Sequence, residues 1–141
     1  MTGDALEQAL ALQRAPLLRF SLRDRPLAPG ITRVIQLAAA SQPLLADTAA
    51  RLGLTEDGVL EAVRFYLQQV LFEGEPEAYR SLGAAPAAST DEIREHFRWL
   101  QRWLHPDRAS DDGFAPFAAK LNWAWQQLRN EHKRSAYDVE R

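Results

Sequence analysis

Two apolar stripes of helical period, one on either side of Pro106, restrict the folds open to this chain more than any other feature. Ile93, Phe97, Leu100 and Leu104 fall within about 60° of one another at 100° per residue. Phe114, Phe117, Leu121, Trp125 and Leu128 make a second face of the same kind. Ser89-Thr90-Asp91-Glu92 starts the first helix with a capping-box pattern, in which a hydroxyl and a carboxylate satisfy each other's end of the chain. Pro106 stops it, because proline has no N–H to donate and its ring collides with the preceding turn. Two one-sided helices joined by a short polar loop predict an antiparallel hairpin that buries both stripes.

The rest of the chain also has the helical period. Asp4 to Arg14 reads as a first helix with Leu6, Leu10 and Leu12 as its apolar positions. Residues 15–29 contain Pro16, Pro26 and Pro29 and are expected to be extended, anchored by Leu17, Leu18, Phe20 and Leu22. Gly30 opens a helix with the stripe Ile31, Val34, Ile35 and Ala38. Leu44 to Leu52 follows, stopped by Gly53 as a C-cap. Thr55 then caps a helix with Glu56 and Asp57 in its first turn, where acidic groups suit the helix dipole. Its stripe is Val59, Val63, Leu67 and Val70, widened by Ala62, Tyr66 and Leu71. Glu73-Gly74-Glu75-Pro76 marks a boundary, dividing residues 1–75, a helical module, from residues 76–141. Seven basic and ten acidic residues precede Tyr79, against ten and nine from Tyr79 onward.

Composition excludes several classes. A net charge of −2 argues against general binding to nucleic acid or to a membrane surface. With no cysteine there is no disulfide and no thiolate metal site. His96 and His132 read as surface or boundary residues, with no ligand cluster around them. No catalytic residue, metal or cofactor is expected, since no nucleophile motif accompanies His105 and Asp107. The start of the chain lacks a signal-peptide pattern and no run is long enough to span a bilayer, so a cytoplasmic protein is expected.

The residues around the hairpin resemble the J domain of the DnaJ family. Tyr79, Leu82 and Gly83 lead in, followed by Glu92-Ile93-Arg94, His105-Pro106-Asp107-Arg108, Ala124-Trp125 with Leu128, and Lys133-Arg134 with Tyr137-Asp138. The resemblance covers residues 79 to 139. It implies an all-α hairpin flanked by short helices, and the helical period of residues 1–75 adds an N-terminal helical module that is expected to pack against it. The resemblance implies that the protein is a co-chaperone, not an enzyme: the J domain would dock on a DnaK-type (heat-shock-70) chaperone and stimulate its ATP hydrolysis. His105, Pro106 and Asp107 would couple the two, while Arg94, Arg98 and Arg108, with Arg102 beside them, would meet acidic surface. The chain departs from the family at Glu95, Trp99 and Gln101, where basic residues are usual, and at Phe117, one residue early for the family's aromatic position.

Trp99, Trp103 and Trp123 lie off the apolar stripes. By angle, Trp99 and Trp103 fall on the flank opposite the arginines. The N-terminal helices are expected to cover these three rings and leave the arginine flank open. Exposed rings would instead make a client or partner patch, as residues 1–75 could. Two other readings stay open. One is a J-like scaffold that binds a partner without stimulating ATP hydrolysis. The other is a DNA-binding regulator, because Ala49 to Val59 resembles a helix-turn-helix. Glu56, Asp57 and Glu61 at the start of its reading helix would repel phosphates, so nucleic acid is not the expected partner.

Overall fold

The computed structural model describes residues 3–105 and 113–141. Nine α-helices and no strand are found among these residues: α1 (Ala5–Arg14), α2 (Leu18–Arg23), α3 (Ile31–Ala38), α4 (Leu44–Leu52), α5 (Glu56–Leu67), α6 (Ala78–Ser81), α7 (Thr90–Leu104), α8 (Ala115–Leu128) and α9 (Glu131–Glu140). A π-helical turn, Gln68–Phe72, prolongs α5. The all-α architecture follows the sequence, and the starts obey local chemistry. Asp4, Thr55, Ser89 and Asn130 each accept a backbone N–H three residues on. Gly53 ends α4 in the left-handed region at φ 67, where a side chain would be strained.

α5 is the centre of the N-terminal half, with α1, α3 and α4 packed around it. Val59, Val63, Tyr66 and Leu67 are its buried face, continued by Val70, Leu71 and Phe72 in the π turn. In the C-terminal half, α8 carries α6, α7 and α9 on its sides. Ile93, Leu100 and Leu104 of α7 meet Leu121, Ala124 and Leu128 of α8 in one buried seam. Phe97 and Trp125 stack at 4.4 Å along its edge. The two halves share a single hydrophobic cluster, because α3 lies against α7 and the π turn lies against α6 and α8.

Two segments depart from expectation. Residues 15–29 are not simply extended: Leu18–Arg23 forms a turn and a half of helix. Pro16 precedes it and Pro26 follows it, so the prolines bound the helix rather than interrupt it. Leu22 is buried there, but Leu17 and Phe20, expected as anchors, are 74% and 53% exposed. In α1 the face that enters the core is Ala5, Gln8, Ala9 and Leu12, and Leu6 and Leu10 are only half-buried at its margin. Two alanines on that face let α1 lie close to α5. The stretch after Leu128 forms one of the short helices expected to flank the hairpin, α9, capped by Asn130.

Candidate functional site

α7 has three faces, each set by residue spacing. Its core face is the seam with α8. Its second face carries Arg94, Arg98 and Arg102, successive on the i, i+4 row, and ends at His105, which is exposed just past the helix. Along this face run two open hollows of about 450 and 420 Å³. Asp91, Arg94, Glu95, Arg98, Trp99 and Arg102 line the first; Arg98, Gln101, Arg102 and His105 line the second. Arg94 is 3.4 Å from Asp91 in a solvated pair that stabilises little. The structure thus brings Arg94, Arg98, Arg102 and His105 onto one continuous surface. Pro106, Asp107 and Arg108 lie outside the described residues.

The third face of α7 turns to the N-terminal half. His96, expected at the surface, is 1% exposed. Its Nδ1–H donates to the carbonyl of Leu82 at 2.9 Å, since a carbonyl can only accept, and Nε2 accepts from the Thr32 hydroxyl of α3 at 2.8 Å. Trp103 is buried beside it on the same flank and meets Phe114 edge to face at 5.7 Å. His132, by contrast, is exposed as expected.

The three tryptophans therefore do not share one covered surface. Trp103 is covered. Trp99 lies on the arginine side, with the Arg102 guanidinium 4.8 Å from its ring, because residues three apart on a helix are only about 60° apart. Trp123 is 39% exposed on α8, its ring edge-on to Tyr137 of α9.

Behind α7, the Tyr79-to-Gly83 segment and the Lys133-to-Asp138 segment close on each other. The Tyr79 hydroxyl donates to the Asp138 carboxylate at 2.5 Å and accepts from Arg134 Nε at 3.0 Å. The Tyr137 hydroxyl donates to Glu77 at 2.8 Å and accepts from the Ala78 N–H at 2.9 Å. Arg134 goes on to the carbonyls of Pro86 and Ala88, tying α9 to the start of α7. Burial pushes both phenols above their ordinary range, and the carboxylates they face push the same way. Arg80 was not singled out by the sequence, yet it clasps the halves together. Nε donates to the Val70 carbonyl at 2.5 Å, Nη1 to that of Arg25 at 2.7 Å and Nη2 to that of Leu22 at 3.2 Å. A guanidinium can serve three carbonyls at once because its donors are fixed in a planar fork. Burial lowers its pKa from the ordinary arginine value.

The described residues contain no group of three or more His, Asp or Glu placed to hold a metal. No helix among them is long and apolar enough to cross a membrane.

Residues 77–138 match the family model described as DnaJ domain. "Chaperone protein DnaJ" of Paracoccus denitrificans (strain Pd 1222) is 41% identical over 61 residues, which cover 43% of this chain and 16% of that protein. "DnaJ homolog subfamily C member 16" of Homo sapiens is 36% identical over 70 residues, covering 50% of this chain and 9% of that protein. "Chaperone protein DnaJ" of Rhizobium leguminosarum is 39% identical over 61 residues, or 43% and 26%. The chain thus spans a minor part of the length of each relative. No solved structure matches it significantly.

Proposed function

We propose, from the match of residues 77–138 to the DnaJ domain model, that this chain is a J-domain co-chaperone that docks on a DnaK-type chaperone and stimulates its ATP hydrolysis. One observation carries this reading: α3 packs on the His96 flank of α7 and leaves Arg94, Arg98, Arg102 and His105 on an open surface. A J domain occluded by its own chain would have that surface covered.

In the proposed mechanism the arginines supply orientation and on-rate against an acidic chaperone surface. His105 and Asp107 then contact the chaperone state in which hydrolysis is fast, and Pro106 limits the ordering cost by fixing its own φ. Binding one state better than another shifts the partner's population, and no bond is made or broken in this chain. The N-terminal helices would give targeting or regulation, and the exposed Trp123 is a candidate client contact. A cytoplasmic location belongs to the same reading.

Single-turnover ATP hydrolysis by a DnaK-type chaperone tests it. The full chain should accelerate hydrolysis, and His105→Gln should remove the acceleration while leaving the fold intact. Arg98→Ala should weaken docking by about tenfold at low salt and less at high salt, as expected for a screened contact. No acceleration by the folded full chain would instead favour a J-like scaffold. Asp91 and Glu95 beside Arg94 favour that second reading, since they dilute the positive charge of the surface.

A further inference from the structure

α2 carries an arrangement that the co-chaperone reading does not use. Residues 14–23 contain Arg14, Arg19 and Arg23 and no acidic residue before Asp24, a local basic surface in a chain whose net charge of −2 argues only against general binding to anionic surfaces. The segment is held from beneath by buried Leu22, half-buried Leu18 and the Arg80 bond to the Leu22 carbonyl. On its outer side Leu17 and Phe20, one helical turn apart, are 74% and 53% exposed. The guanidinium carbons of Arg19 and Arg23 stand 4.5 and 5.4 Å from the centroid of the Phe20 ring. Arg23 also hydrogen-bonds Gln69 of the π turn, which fixes it beside the ring. Two protruding apolar side chains are thus bracketed by cations on a firmly held helix.

We propose that this surface docks peripherally on an anionic lipid bilayer, with Leu17 and Phe20 entering the acyl boundary and Arg19 and Arg23, the cations beside the Phe20 ring, at the level of the phosphates. A protein partner would have to offer a socket for each protruding side chain and acidic groups around it. A bilayer presents both layers at every lateral position, with apolar depth immediately beneath negative charge. The close approach of the guanidiniums to the Phe20 ring matches that layering: sinking the ring to the acyl boundary brings the cations to the headgroups. Each cation near such a surface raises partitioning by about fivefold, so two cations and two shallow apolar anchors give reversible attachment without a spanning helix.

The full chain should co-sediment with vesicles of phosphatidylcholine and phosphatidylglycerol at roughly three to one, weakly with phosphatidylcholine alone, and less as salt rises. Arg19→Glu should lower binding to the anionic vesicles more than about tenfold, and the double variant Leu17→Ser, Phe20→Ser by a similar factor. Melting curves guard against misfolding, which these exposed positions should not cause. Equal binding to both vesicle types, no binding to either, or anionic binding that survives both variants would overturn the proposal. So would binding to poly-glutamate that depends on Phe20 when the vesicles bind nothing; that result would assign the surface to an acidic protein partner. The outcome is independent of ATP hydrolysis.

Discussion

Tyr66 shows how much one buried hydroxyl constrains. Its O–H donates to Gln8 Oε1 at 2.7 Å, joining α5 to α1 inside the core, and burial pushes its pKa up to about 12. The phenol ionises in the unfolded chain near 10.0 but resists until about 12 in the fold. Its contribution is therefore complete below pH 10 and is lost as pH rises through 12, up to about 3 kcal/mol. Urea titrations at pH 9 and 11 should show that fall. Tyr66→Phe should lessen the dependence, leaving the part due to Tyr79 and Tyr137, while costing about 1–3 kcal/mol at pH 7, because Gln8 is left buried without its donor. Tyr66 was legible as a core residue from its spacing, but its partner was not, since Gln8 is 58 positions away. His96 was misread for the same reason. A helical wheel places it on a flank, and α3, through Thr32, together with the turn at Leu82 makes that flank an interior.

The helix starts were the most legible elements, because caps are local. α4 runs from Leu44 to Leu52 before Gly53, and α7 begins after Ser89, as their sequences predict. Ser89→Ala should lower stability by about 1 kcal/mol in a thermal or urea melt. α2 was missed because three prolines outweighed a short apolar run, and no sequence rule ranks bounding prolines against breaking ones. Nor does the stripe from Val59 to Val70 reveal that the last turn widens to a π turn, which Lys120 of α8 holds by donating to the Phe72 carbonyl at 2.7 Å. The turn after α6 is more demanding than its Leu-Gly signature suggests. Gly83 sits at φ 64, and an added Cβ would stand 2.7 Å from Ile35 Cδ1 and 3.4 Å from His96 Nδ1. Gly83→Ala should therefore cost about 2 kcal/mol or more, from left-handed strain and from overpacking of α3 against α7.

Across the chain, the contacts that join the halves are as specific as those within them. Arg80 reaches Leu22, Arg25 and Val70, His96 reaches Thr32, and Phe72 meets Phe117 at 5.8 Å. A shared core of this kind predicts one cooperative unfolding transition. All four tryptophans lie after residue 98, so their fluorescence follows the C-terminal half, while far-UV circular dichroism follows every helix. The two signals should give the same midpoint in urea; separated midpoints would mean that the halves unfold independently. The C-terminal hairpin was legible because its stripes, cap and stop lie close together in sequence. The interface was not, because Arg80, His96 and Thr32 find their partners only when both halves are in place, and Phe72 looks like any core residue of its own helix until Phe117 meets it. Arg80 has a consequence for the inheritance of the domain as a cassette. A graft of residues 77–138 that kept Tyr79, Leu82 and Gly83 but not Arg80 would leave the carbonyls of Leu22, Arg25 and Val70 without their donor. Residues 77–138 are thus fitted to the N-terminal helices through Arg80, and a segment grafted in their place would need an arginine at that position to keep the join.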